Sequence, residues 1–518
     1  MATDKHIIKK AIVEIHVPNA QDASELQSKA LNFFKEKICP IIEKIVERYS
    51  APGETIRIDK LELDIKDFRR PEEYTFARLQ ELEEQIEKKL VALISEKKEN
   101  DFSGDIVTEV KRIPKEKAEQ ELFIELLKTG CLPWWAKTEA AVSLEAIAQK
   151  VLQQDTASVK KELEKIIVIP SVRKRIAYNL TADTAEKIIA LVCSKPAELL
   201  TYIRELLDLA ERKAISFNNL RAFIYEFVLK YPSSAGSDFL LFITGLVREK
   251  KDLAFVKELY GIAGAVMTGN NISSSEIKTA VSIKQALSAS DQYFAGEIRT
   301  IFNQKDREEF FKEDISGNKN DAVPRDKRSD QKSQDNLSAE DELYEGIMEN
   351  PETGDYFIKN SGVIILAPYL SALFKELGLY NGKEFISEEA KERAAFLLQY
   401  LATGNETAEE HEMVLNKILC GIQVNTPLTL VFKITGKEKE ECTGILQAVA
   451  DNWTALKGTS GEGMRDAFFM RDGILEQQSN GWNLKIERTS IDILLDKLPW
   501  GISILQMPWS REMIFVTW

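Results

Sequence analysis

The sequence predicts an α+β protein, mainly helical, and three observations carry that prediction. Apolar residues recur at intervals of three and four over most of the chain, the period of a helix with one buried face. Two short stretches near the start, residues 7–17 and 56–65, alternate instead and read as strands. Beyond Gly473 the period shifts to two again, which predicts a small sheet at the C-terminal end.

The elements follow in order. IIKKAIVEIHV, residues 7–17, alternates Ala11, Val13, Ile15 and Val17 with Ile12, Glu14 and His16 and reads as a strand ended by Pro18. A helix runs from Ser24 to Tyr49, and Pro40 should kink or interrupt it, because proline lacks the donor and crowds the preceding turn. IRIDKLELDI, residues 56–65, is the second strand, with a bulge near Asp59 and Lys60 that would bring its apolar residues to one face. Residues 1–70 are thus expected to form a β-α-β module. A charged helix spans 72–98, and the polar stretch 100–117 reads as a linker. In FIELLKTGCLPWWA a helix over 118–128 should stop at Gly130, a favourable residue just past a helix end, and Pro133 should start a new turn carrying Trp134 and Trp135. Residues 71–137 form this connector.

Residues 138–303 read as a helical middle of stacked hairpins with no fixed repeat period. The segment 304–342 contains SGNKNDAVPRDKRSDQKSQDN, which has almost no apolar residue to offset its ordering entropy and reads as a disordered linker. The last domain, 343–518, is α then β. One helix begins at Pro368 and ends at Gly378; the next is capped by Ser387 and ends at Gly404. Two more cover 409–419 and 437–456, and a small antiparallel sheet is expected to begin with a hairpin at Asn480-Gly481.

Composition narrows the function. At 518 residues the chain exceeds one ordinary core, so several domains are expected. A formal net charge of −14 opposes bulk nucleic-acid binding, which needs clustered Lys and Arg. The sequence has no run of 18 apolar residues and its first residues lack the apolar core of a secretory signal, so neither a membrane span nor a leader is expected. Five widely spaced Cys without a C-x-x-C pair fit reduced thiols of a cytoplasmic protein.

A reaction centre is not legible. His6 and His16 would lie roughly 33 Å apart on one strand and cannot share a metal. His411 stands alone among acidic residues and reads as a surface group. The run Gly458–Gly463 reads as a helix entry, since no lysine follows in the phosphate-loop arrangement. Glu388-Glu389 and Glu409-Glu410 fall at helix N-termini, where carboxylates favour the dipole. The expectation is no catalytic residue, no metal and no cofactor. The residues singled out are aromatic: Trp134 and Trp135, as a core or interface plug, and Trp500, Trp509 and Trp518 at a C-terminal edge too aromatic to be left in water.

Three separated blocks resemble one family. HIIKKAIVEIHV with RIDKLELDI, then FIELLKTGCLPWWA, then NSGVIILAPYLSALFKELGL, ERAAFLLQYLATG, EHEMVLNKILCG, NWTALKGTS and LPWGISILQMPW are similar to the tape measure proteins of contractile injection systems, phage-tail-like particles assembled by bacteria. The helical block before LPWW departs mildly in carrying Glu125. The resemblance implies a structural protein that sets inner-tube length during assembly. Its partners would be the inner tube, the baseplate hub and the tube terminator, and its location the cytoplasm during assembly and then the particle lumen. Fully helical and extended, the chain would span at most about 780 Å. Two rivals stand beside this reading: a compact assembly scaffold or cargo chaperone of the same particle, and a cytoplasmic enzyme with an unrecognised site.

Overall fold

The computed structural model describes residues 8, 11–14, 23–49, 54–58, 60–63, 76–95, 110–136, 142–212, 220–232, 239–267, 274–294, 297–301, 355–430 and 432–518. They fall into two compact units. One takes the chain up to Leu122 together with Trp134–Ala141, and the other takes Phe123–Pro133 and everything from Val142 onward.

In the first unit α1 (Ala23–Phe33) and α2 (Cys39–Tyr49) are joined by a π turn, Phe34–Ile38. The kink expected at Pro40 takes this form. Proline has no N–H and its ring crowds the carbonyl four residues back, so the wider turn just before it absorbs the mismatch without breaking the rod. The Cys39 N–H reaches back to the Phe34 carbonyl to close that turn. Phe33, Ile38 and Ile45 bury themselves against Leu82, Ile86 and Leu90 of α3 (Phe76–Ser95). Ion pairs Lys44–Glu83 and Arg48–Glu87, each 2.6 Å, run along the wet side of the same contact.

The strand expected over 7–17 is not present at residues 8 and 11–14, which carry no regular structure and leave Ile12 71% exposed; the rest of it lies outside the described residues. Of the second strand, expected over 56–65, the structure has β1 (Glu54–Ile58); residues 60–63 carry no regular structure, so the strand does not continue past the expected bulge there, and the neighbour of β1 is β2 (Val110–Pro114), antiparallel, with Ile56 opposite Arg112. Residues expected as linker therefore supply a strand. Within it Ile113 is buried, and Arg112 reaches Glu54 at 3.2 Å. From β2 the chain enters α4 (Lys115–Thr129) directly.

The second unit contains the helical middle: α5 (Leu144–Val151), α6 (Thr156–Ile166), α7 (Pro170–Lys174), α8 (Ala182–Val192), α9 (Pro196–Arg212), α10 (Leu220–Lys230), α11 (Phe239–Lys250), α12 (Leu253–Met267), α13 (Ser274–Ser290) and α14 (Ile298–Ile301). Ser143, Asp155 and Thr181 cap α5, α6 and α8 through their side-chain oxygens, which supplies acceptors for otherwise orphaned first-turn amides. Within the middle α8 packs on α9 and α12 on α13, neighbours in sequence, whereas α11 packs mainly on α13, across α12, and α10 packs on α7. The linker expected over 304–342 lies outside the described residues.

Beyond it come β3 (Tyr356–Ile358), a 3-10 segment Ser361–Leu366, and α15 (Ala367–Glu376), α16 (Glu388–Thr403), α17 (Val414–Leu419) and α18 (Gly436–Asn452). Ser387 caps α16 by accepting from the Ala390 N–H at 3.1 Å, and Gly404 closes it at φ +76°. The sheet has five strands in the order β3-β4-β5-β7-β6, with β4 at Gly473–Gln478, β5 at Gly481–Ile486, β6 at Ile504–Gln506 and β7 at Met513–Thr517. The expected β4–β5 hairpin forms, but one residue earlier than expected: its two-residue loop is Ser479-Asn480, and Gly481 is already the first residue of β5, opposite Gln478. The sheet is mixed, because β5 and β7 run parallel, Trp482 beside Ile514; the capped 3-10 segment Ser490–Lys497 and β6 make the crossover. Gly481 lies at φ +138° where a Cβ would overlap the Met513 backbone, so this position admits only glycine.

Candidate functional site

The most unusual chemistry of the second unit is a buried charge cluster of Arg175, Glu410 and Lys417. Arg175 opens a π turn, Arg175–Asn179, that continues α7. Glu410 begins the 3-10 turn before α17, and Lys417 follows it two helical turns later. Arg175 and Lys417 side chains are 0% exposed and Glu410 6%.

Every donor in the cluster is used. Arg175 Nε donates to Glu410 Oε2 and Nη2 to Oε1, both at 2.9 Å, a two-pronged pair. Its remaining three N–H groups go to the carbonyls of Leu127 at 3.0 Å, Lys128 at 2.7 Å and Asn425 at 2.7 Å. Lys417 Nζ donates to Glu410 Oε1 at 2.6 Å and to the carbonyls of Val424 at 2.9 Å and Thr426 at 2.8 Å. Five guanidinium and three ammonium donors are thus matched. Two positive charges face one carboxylate, and the excess is met by carbonyl dipoles, including those of the last turn of α4, where the helix presents its negative end. Burial alone would raise the Glu410 pKa; Lys417 and Arg175 outweigh it and hold the carboxyl below the usual range.

Gly130 makes room for this. It sits at φ +69°, and a Cβ there would overlap Glu410 Oε1 and lie 2.8 Å from Arg175 Nη2. The sequence identifies Gly130 as a helix stop, which it is, with its N–H bonded to the Leu126 carbonyl at 2.9 Å. Beside it Cys131 is buried within the C-terminal core, and burial pushes its thiol up to about 12, so it is inert as a nucleophile near neutral pH.

Sequence reasoning missed this cluster. The dipole reading of Glu409-Glu410 fits Glu409, which belongs to a capping box with Glu412 and also accepts from the Leu144 N–H at 3.4 Å. Glu410 turns inward instead. The usable signal was Lys417 in VLNKIL, a cation inside an otherwise apolar run. His411 is not a free surface group either: it is half-buried, and burial pulls its pKa down to about 4, so it is neutral near pH 7. The Gly458–Gly463 run is a helix entry, with Ser460 accepting from the Gly463 N–H at 3.1 Å.

The aromatic residues singled out from the sequence lie in three settings. Trp134 and Trp135 form a 3-10 turn with Ala136 in the first unit, and the Arg57 guanidinium sits 3.9 Å over the Trp135 ring. Trp509 is ringed by Phe374, Tyr380 and Phe385 at centroid distances of 5.6, 5.0 and 4.9 Å, and its indole N–H caps α17 by donating to the Leu419 carbonyl at 2.8 Å. Trp500 stands edge-on to Tyr369 and donates to the Ile365 carbonyl at 3.1 Å; Trp518 donates to Asp492 Oδ2 at 3.1 Å. Trp500 and Trp518 also line a surface cavity of about 250 Å³ with Leu498, Ile502 and Val516. All three are half-buried.

Among the described residues no group of three or more His, Cys, Asp or Glu is placed to hold a metal ion, and no helix is long and apolar enough to cross a membrane. What the fold and its central cluster define is a helix-rich α+β protein, fastened internally by buried charge and edged with aromatic residues. The chain belongs to the contractile injection system tape measure protein family, whose model matches residues 5–518. Comparison with curated proteins and with solved structures gave no match.

Proposed function

We propose that this chain sets inner-tube length during assembly of a contractile injection system, its two ends docking at the baseplate hub and the tube tip, where the terminator acts, and its helical middle bridging them. The observation that carries the reading is the family match, which spans residues 5–518 and so takes in both ends and the middle. The structure supports it in kind: the ends have apolar cores of their own, one around Phe33, Ile45 and Ile86 and one around Val363, Leu398 and Trp453, and helices lie between them in sequence. Such a protein would act in the cytoplasm during assembly and then lie in the tube lumen, with Trp134, Trp135, Trp500, Trp509 and Trp518 serving packing or docking.

Removing about 40 residues in whole helices between Ala140 and Asn303, sparing α7, should shorten the tube by at most roughly 60 Å, at about 1.5 Å per residue. Unchanged mean tube length would favour the second reading, a compact scaffold or cargo chaperone. That reading draws on one observation: the middle helices are folded in the same compact unit as the C-terminal part.

A further inference from the structure

We propose that the Arg175–Glu410–Lys417 cluster is a latch, a reversible fastening that holds the helical middle folded against the C-terminal part and lets it go as a unit. The proposal rests on the tape-measure reading, because only a chain whose middle must extend needs such a release.

Two observations separate the latch from ordinary core. The apolar core of the C-terminal part takes Cys131 from the loop after α4 and otherwise only residues from Ile358 onward, none from the middle helices. Among the described residues no helix between Leu144 and Ile301 lies in extended contact with a helix or strand beyond Tyr356. Polar side chains take part in the join. Arg175 gives two bonds to Glu410 and one to the Asn425 carbonyl, and Glu409 accepts from the Leu144 N–H.

The chemistry of the join suits release. A buried ion pair adds little net stability over an apolar filling, since its attraction is spent on desolvation, but taking away one member strands a charge in the interior. The cluster is therefore closed with every donor matched or open with every group hydrated, and intermediate states are penalised. Its opened faces are charged and wet, unlike the adhesive surfaces left by a parted apolar core. Arg175 also holds the last carbonyls of α4, so displacement of the Leu127–Lys128 turn removes two of its five acceptors at once. Movement of the chain on the N-terminal side is thereby coupled to the latch.

The test uses the full chain and two variants. In Glu410→Gln, backbone hydrogen exchange across α7 and α8 should quicken by about 100-fold or more, the penalty of a stranded buried charge, while the β4–β5 hairpin keeps its wild-type rates. In Arg175→Met/Glu410→Leu/Lys417→Met, an apolar lock, exchange in α7 and α8 should be as slow as in the wild type or slower, and particles assembled with it should have short or absent tubes. Equal acceleration of α7, α8 and the hairpin in Glu410→Gln would make the cluster plain core, and no acceleration would make it idle; either overturns the latch. Normal tubes with a folded lock variant would also overturn it, while the deletion series above would still shorten tubes if the tape-measure reading holds. Should the lock variant fail to fold, the exchange pattern of Glu410→Gln decides alone.

Discussion

Gly130→Ala offers the sharpest test of the charge cluster, because the fold supplies its own control. Gly130 and Gly378 both follow a helix and both sit at φ +69°, but a Cβ on Gly378 meets nothing within 4 Å, whereas one on Gly130 overlaps the Glu410 carboxylate. Any L-residue in this left-handed region costs about 1–2 kcal/mol, partly offset by the stiffer unfolded chain, so Gly378→Ala should lose roughly 1 kcal/mol. Gly130→Ala carries the same backbone cost and also drives Glu410 off its partners. That leaves Arg175 and Lys417 buried without their carboxylate, worth a further 3–5 kcal/mol or about that order. Urea unfolding followed by fluorescence of the five tryptophans beyond residue 450 would read both variants. At a slope of about 3 kcal/mol per M, the upper end for small proteins, a gap of about 3 kcal/mol separates the two midpoints by about 1 M, and by less if this longer chain unfolds with a steeper slope. Equal losses in the two variants would show that the carboxylate moves aside freely, and the argument for a rigid, fully matched cluster would be wrong.

Three further predictions concern other parts of the chain. Trp509 is half-buried, so Trp509→Ala should cost less than the about 3–5 kcal/mol of a fully buried aromatic, and Trp509→Phe about 1 kcal/mol for the bond to the Leu419 carbonyl; if Trp500 or Trp509 is instead a docking residue, its alanine variant will melt normally and block assembly, and unchanged melting with unchanged assembly refutes both roles. The His411 pKa is depressed in the fold, so the unfolded state takes up a proton first as pH falls from 6.5 to about 4. Stability should be full above pH 6.5 and decline by up to about 3 kcal/mol through that window. In urea titrations at several pH values, His411→Gln should flatten this decline, and an unaltered slope would assign it elsewhere; the Glu410 contribution, with its lowered pKa, starts to be lost as pH falls below the ordinary carboxyl value of 4.5 and goes on falling from there. From its composition the segment 316–336 should be the first site of limited proteolysis, releasing a C-terminal fragment that melts cooperatively; resistance to cleavage or a molten fragment would misplace that boundary.

Features governed by neighbours in sequence could be read directly. Helix stops at Gly130, Gly378 and Gly404 all lie at positive φ, and Ser387 caps its helix as its residue type dictates, because caps are settled within a few residues; the β4–β5 hairpin was legible too, though its loop falls one residue early, at Ser479-Asn480. The resemblance in the blocks around LPWW and LPWGISILQMPW led to the family for the same reason, since it depends on residue order and not on contacts.

What required the tertiary structure was pairing at a distance. The polar stretch Val110–Pro114 becomes a strand only because β1 offers it an open edge, and the sheet becomes mixed only because a crossover carries β7 back beside β5 in parallel. Arg175 and Glu410 lie 235 residues apart, and each in its own segment looks like a solvated helix charge. Period and composition report the average face of a helix, so they cannot mark the one charged residue that turns inward. That choice is made by the partner opposite, and the sequence determined the segments while their meeting in space decided which charges would be buried.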